Sequence, residues 1–239
     1  MSQKRIMIAG TEEKTKNYSN ALAALGASCF FLEKEAGFDD SSSLWRTGKY
    51  PVNDFDGLLL PGGGDIDPAL FGEPNQGSRS IDGTLDRIQL ALLGDFVRSK
   101  KPVLGICKGM QLINVYFKGG IIQHLPTAGL HEYREADQVH SSKAAENSLL
   151  CRLYGVHFPV NSAHHQAIGR TGQGLSVVQW APDGTPEALQ HTSLPIAAVQ
   201  WHPERMCFAH RRTDTPDGSL LLSSFLRGYA EDAGTAGNV

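Results

Sequence analysis

Residues 102–120, PVLGICKGMQLINVYFKGG, decide how this chain is read. An apolar run, Val103 to Ile106, meets Cys107, and the spacing of apolar residues from Met110 to Phe117 predicts a helix directly after it. Gly105 stands two residues before the cysteine and Gly109 two after it. That spacing is the strand–nucleophile–helix elbow in which many hydrolases carry serine, here with a thiol. Such a sharp turn leaves no room for side chains two residues either side of the nucleophile and holds the nucleophile at strained φ and ψ. It also presents the sulfur to the free N–H groups at the start of a helix, where negative charge is favoured. The bland alternative is a small buried cysteine beside ordinary turn glycines. Strand, elbow and helix coincide, which favours the nucleophile.

Outward from the elbow, short apolar runs recur at Arg5 to Ala9, Ser28 to Leu32 and Gly57 to Leu60. Between them lie segments with helical spacing. Asn17 to Leu25 is ended by Gly26, and Thr84 to Ser99 carries Leu85, Ile88, Leu92 and Phe96 on one face. This alternation predicts an α/β fold: a mostly parallel sheet with helices on both faces. The second half is less regular. Residues 126–150 are polar and read as a peripheral excursion or hairpin. Leu175 to Trp180 and Ile196 to Gln200 read as strands, with Asp183-Gly184 as the turn joining them into a hairpin. Ser219 to Tyr229 is expected to form a closing helix and Ala230 to Val239 a frayed tail. With no repeat, low-complexity tract or linker, residues 1–239 are expected to form a single domain.

Composition excludes several classes. Hydrophobic residues make up 41% of the 239 and charged residues 20%, enough for a core without disulfide or metal staples. The 22 Lys and Arg against 25 Asp and Glu leave a net charge of −3, with no basic cluster for nucleic acid. No apolar run approaches about 18 residues, and the stretch from Ile6 to Ala9 is too short for a signal segment. Cys29, Cys107, Cys151 and Cys207 form no close pair, which argues against a disulfide framework. A cytoplasmic protein without a membrane partner is expected.

Three further segments complement Cys107. In VQWHPE, residues 199–204, His202 follows an apolar strand, and strands of a parallel sheet end at one edge, so His202 can meet Cys107 there. Glu204 can bond the far imidazole nitrogen and support an imidazolium. In LLLPGGGDIDP, residues 58–68, the backbone of Gly62 or Gly63 can join the amide of Lys108 to hold an oxyanion. The same loop lacks the spacing of a phosphate-binding P-loop. In VNSAHHQAI, residues 160–168, Ser162, His164 and His165 read as a wall of the substrate pocket. Adjacent side chains on an extended segment point opposite ways, and no third ligand stands at a suitable spacing, so no metal is expected. Asp183-Gly184-Thr185-Pro186-Glu187 reads either as a turn or as a substrate contact.

Taken together, these segments resemble the class I glutamine amidotransferase-like (flavodoxin-like) fold and, within it, the gamma-glutamyl-gamma-aminobutyrate hydrolase family, the peptidase C26 group. The elbow and the His-Pro-Glu are common to the wider fold. Asn161-Ser162-Ala163-His164-His165-Gln166 and Asp183-Gly184-Thr185-Pro186-Glu187-Ala188 point to this branch. The resemblance implies a Cys107–His202–Glu204 triad cleaving a small γ-glutamyl amine, with Gln111 contacting the glutamyl part. It further implies no cofactor, a place in polyamine or putrescine catabolism, and compatibility with a homodimer. Lys108 replaces the family's usual Arg, Leu85-Asp86-Arg87-Ile88-Gln89 replaces its Arg-Asp-x-x-Glu, and Gln123-His124 stands where Gln-Asp is common. Two other readings use the same residues: a glutaminase subunit supplying ammonia to a synthetase, and a non-catalytic domain binding γ-glutamyl metabolites.

Overall fold

The computed structural model describes residues 3–32 and 51–230. Its first half comprises β1 (Arg5–Ile8), α1 (Lys16–Ala24), β2 (Ser28–Phe31), β3 (Gly57–Leu60), α2 (Gly83–Arg98), β4 (Val103–Ile106) and α3 (Lys108–Tyr116). Next come β5 (Ile121–Ile122), β6 (Gln138–Ala144), α4 (Leu149–Tyr154), β7 (His157–Ser162), β8 (Ala167–Ile168) and β9 (Leu175–Trp180). The chain finishes with β10 (Pro186–His191), β11 (Ile196–Val199) and α5 (Ser219–Leu226). The main sheet has nine strands in the order β2-β1-β3-β4-β11-β10-β9-β6-β7. Pairing is parallel from β2 through β11 and antiparallel from there to β7.

The parallel half follows from its apolar runs. In Gly57-Leu58-Leu59-Leu60 every residue is buried because both faces of the sheet are covered. Side chains alternate across the strand, so Leu59 packs with Leu22, Leu221 and Phe225 on one face. Leu58 and Leu60 pack with Leu93, Phe96 and Ile113 on the other. α1 ends where Gly26 takes a φ of 83°. The Asp82 carboxylate accepts from the Leu85 amide at 3.0 Å and caps α2. No described helix is long and apolar enough to cross a membrane.

The expected hairpin between Leu175–Trp180 and Ile196–Gln200 is not formed. Asp183-Gly184 instead closes the turn from β9 to β10, with Pro186 opposite Trp180, and β10 lies between the two strands read from sequence. PEALQH escapes a pattern reading because the buried Glu187 and the half-buried Gln190 interrupt its apolar alternation. Residues 126–150 do lead into a hairpin, β6 with β7, and α4 sits in its connection. Burial alternates along β6, with Val139, Ser141 and Lys143 exposed, as on a strand with one wet face, although the covered positions are mostly polar. The expected tail beyond Ala230 lies outside the described residues.

Candidate active site

The elbow forms where the glycines predict it. Cys107 has φ 53° and ψ −107°, a conformation L-residues rarely adopt, and α3 starts at the next residue. A Cβ on Gly109 would fall on the Leu60 carbonyl, and one on Gly105 would lie 2.7 Å from the Gly109 backbone. The Cys107 amide donates to the Val199 carbonyl at 2.8 Å, anchoring the turn on β11. As the first residue of α3, Lys108 has no intrahelical acceptor for its amide, and none is supplied by the described residues.

β4 and β11 run parallel with Ile106 opposite Val199, so the residues leaving their carboxyl ends meet at one edge. There the His202 Nδ1 lies 2.7 Å from Glu204 Oε1, and His202 and Cys107 line one cavity together. Burial works against a charged imidazole, but the Glu204 charge and Cys107 outweigh it and carry His202 up to about 10. Asn161, at the end of β7, fixes the backbone: the His202 amide donates to its Oδ1 at 2.8 Å, and its Nδ2 donates to the His202 carbonyl at 3.2 Å. Arg205 braces the same corner, donating to Asp137 at 2.8 Å and standing 3.5 Å from Glu204.

Cys107 and His202 open onto a cavity of about 340 Å³ whose walls include Tyr18, Gly62, Gly63 and Ala163. The Gly62 amide donates to the Tyr18 hydroxyl at 3.0 Å. Among the described residues the Gly63 amide has no acceptor. Burial and the nearby Glu204 and Cys107 push the Tyr18 hydroxyl well above its usual range, so it stays neutral. The Lys108 side chain turns from the sulfur to a buried pair with Asp86 at 2.5 Å, and Asp86 Oδ2 accepts from the Asp67 amide at 2.8 Å. That pair joins α2 and α3 beneath the glycine loop.

The four residues expected to meet substrate lie elsewhere than on this cavity. Gln111 is buried and donates to Gln200 Oε1 at 3.3 Å. Ser162 is buried with its Oγ 3.3 Å from His131 Nδ1. The adjacent histidines diverge as an extended segment requires: His164 turns toward Glu187, whereas His165 Nε2 lies 2.9 Å from Asp65 Oδ2. Among the described residues two groups have the donors and spacing to hold a metal, His124–Glu132–His165 and His131–His164–Glu187, each with its ligand atoms within 4.8 Å of one another. Asp183 accepts from Thr127 at 2.6 Å and lies 3.0 Å from His131 Nε2. Tyr18 has no motif of its own, and the segments that hold Asn161 and Asp86 do not tell from sequence that these residues meet His202 and Lys108. Only the close triglycine loop and the His-Pro-Glu segment mark the neighbourhood into which they fold.

The profile of the Peptidase C26 family matches residues 16–204. This chain belongs to that family. The C26 protein is 38% identical over 157 residues to a glutamine amidotransferase-like protein, YvdE, of Lactococcus lactis; the match covers 62% of this chain and 66% of YvdE. It is 31% identical over 155 residues to the gamma-glutamyl-gamma-aminobutyrate hydrolase PuuD of Escherichia coli, covering 59% of this chain and 61% of PuuD. The match thus spans just under two thirds of the length of these curated relatives. Among solved structures, a Thermoplasma acidophilum protein named as part of a GMP synthase superposes with a TM-score of 0.66 at 18% identity. That superposition covers 95% of this chain and 94% of the other, and carries the fold alone.

Proposed function

We propose that this protein is a cysteine hydrolase that cleaves the γ-glutamyl amide bond of a small γ-glutamyl amine, such as γ-glutamyl-γ-aminobutyrate. The observation carrying this reading is the buried imidazole of His202, held by Glu204 at 2.7 Å and lining the same cavity as the Cys107 thiol at the elbow. Binding alone needs no nucleophile held in a strained elbow.

In this mechanism the Cys107 sulfur attacks the γ-carbonyl carbon, forming a C–S bond, and the carbonyl oxygen takes up the electron pair. The free amides of Gly63 and Lys108 donate to that oxygen. Such donors are each worth about 10²–10³ in turnover. The Gly62 amide joins them only if Tyr18 releases it. As the C–N bond breaks, His202 gives its proton to the departing amine. Water then attacks the γ-glutamyl thioester and His202 takes a proton from it; the C–S bond breaks, glutamate is released, and Cys107 and protonated His202 return to their starting state. Glu204 keeps Nδ1–H in place throughout. Lys14, Lys16 and Arg205 at the cavity suit the α-carboxylate of a glutamyl group.

The test is steady-state hydrolysis by the purified protein alone on γ-glutamyl-γ-aminobutyrate, other γ-glutamyl amines, γ-glutamyl dipeptides and free glutamine. Cleavage of one amine far above glutamine, absent in Cys107→Ala, is expected. Turnover confined to glutamine and slow without a partner would support a glutaminase subunit instead. Failure of Cys107 to react with an electrophilic glutamine analogue would overturn both.

A further inference from the structure

Outside the cavity, three histidines from three segments close on one carboxylate. His140 on β6 brings Nε2 to 3.4 Å from Glu187 Oε1, and His164, beyond β7, brings Nε2 to 3.7 Å. His131, just after the short helical turn Ala128–Leu130, brings Nδ1 to 3.8 Å. The rings of His140 and His164 lie with their centres 5.0 and 4.8 Å from that of His131. Glu187 on β10 is 0% exposed, and neither of its oxygens has a hydrogen-bond donor among the described residues. The Nε2 atoms of His140 and His164 are likewise buried without a partner.

The far nitrogen of every ring is taken. His131 Nε2 meets Asp183 Oδ2 at 3.0 Å, His140 Nδ1 meets the Ser141 carbonyl at 3.0 Å, and His164 Nδ1 meets the Gln166 carbonyl at 2.9 Å. Those oxygens only accept, so each of these nitrogens carries a proton. In the neutral ring, the nitrogen facing Glu187 is then a bare lone pair. Ser162 Oγ, 3.3 Å from His131 Nδ1, is a hydroxyl able to donate to that ring. Three lone pairs and a carboxylate directed at one another in a buried space repel unless a cation lies between them or a ring takes up a second proton and donates to Glu187.

We propose that this cluster is a structural zinc site with His131, His164 and Glu187 as ligands, their donor atoms all within 4.8 Å of one another, and His140, 3.4 Å from Glu187, drawn in as the fourth. A tetrahedral ion with bonds of about 2.0–2.1 Å spaces its ligand atoms ~3.3–3.4 Å apart, close to the separations from Glu187 seen before any ion draws them in. Three imidazole nitrogens and one carboxylate oxygen form a donor set that zinc accepts. The carboxylate and carbonyls behind the rings are the partners that orient metal-binding histidines. Charge balances too: a divalent ion is neutralised by Glu187 and by Asp183 behind His131. With all four positions filled by protein, the ion would tie β6, β10 and the segment after β7. That segment carries Ala163 of the cavity wall and follows Asn161, which holds His202. The site stands whatever reaction Cys107 performs.

The full chain, stripped with a chelator and dialysed, is titrated with Zn²⁺ and separately with Co²⁺. One ion per chain is expected, with a tetrahedral cobalt spectrum lacking thiolate charge transfer and a higher melting temperature in Zn²⁺. His164→Gln and Glu187→Gln should weaken binding by about 10²-fold or more and lose the zinc-dependent rise in melting temperature. Cys107→Ala and His165→Gln should bind as wild type does, separating this site from the thiol and from the His124 group. If the ligand variants do not fold, the wild-type stoichiometry and spectrum, with those two controls, still decide. Absence of stoichiometric binding, a thiolate band, loss of binding in Cys107→Ala, or undiminished binding in folded His164→Gln and Glu187→Gln would each overturn the proposal.

Discussion

Asn161 grips the backbone of His202 from both sides, accepting from its amide at 2.8 Å and donating to its carbonyl at 3.2 Å. The imidazole is therefore positioned by a residue on β7, at the far edge of the sheet from β2. Both partners are buried, so water cannot substitute when the side chain is lost. Asn161→Ala should cost about 1–3 kcal/mol of stability and lower kcat by about 10²-fold through misplacement of the ring. Denaturant melts and steady-state kinetics check this; an unchanged kcat would show that His-Pro-Glu holds its own geometry.

Cys107→Ala should abolish turnover on every γ-glutamyl amide the wild type cleaves, a loss of about 10³-fold or more. Cys107→Ala should also leave the fold intact, since the elbow is set by Gly105 and Gly109 rather than by the sulfur. Circular dichroism and the substrate panel together test it.

The proton on His202 makes a prediction about alkaline pH. Its pKa is raised from the usual 6.5 to about 10, so its contribution to stability is complete below 6.5 and is lost as pH rises through about 10. The alkaline limb of kcat/KM should fall over the same range. Glu204→Gln removes the charge that favours the imidazolium and should move that limb to lower pH. A limb that stays in place would separate it from His202.

The Lys108–Asp86 pair is 4% and 0% exposed at its side chains. Lys108→Met strands a buried carboxylate and should destabilise the protein by about 3–5 kcal/mol at neutral pH. Burial already pushes the Asp86 carboxyl up against the pull of Lys108, so without the lysine it should protonate more readily. Replacing both residues by apolar ones should recover much of the loss, as a double-mutant cycle in urea would read.

Gly109→Ala tests the elbow itself. Its new Cβ would overlap the Leu60 carbonyl, so the turn must open or β3 must shift. Destabilisation of about 1–3 kcal/mol with loss of reactivity toward a thiol reagent directed at the site is expected.

The local chemistry of this protein was legible in its sequence wherever a backbone constraint and a residue type coincide. Gly105-Ile106-Cys107-Lys108-Gly109 announces a turn that no bulkier sequence can make, and continuous apolar runs such as Gly57–Leu60 announce strands covered on both faces. His202 and Glu204 were readable because they sit two residues apart, directly after such a strand. What only the tertiary structure decided is the company kept by residues far apart in the chain. β10 was hidden because the buried Glu187 and the half-buried Gln190 interrupt the hydrophobic alternation by which a strand is recognised. Tyr18 closes on Gly62, Asn161 on His202, and His131, His140 and His164 on Glu187, each from a separate element. Such pairings depend on strand order and register, and those are set by how the whole sheet packs rather than by any short run of residues.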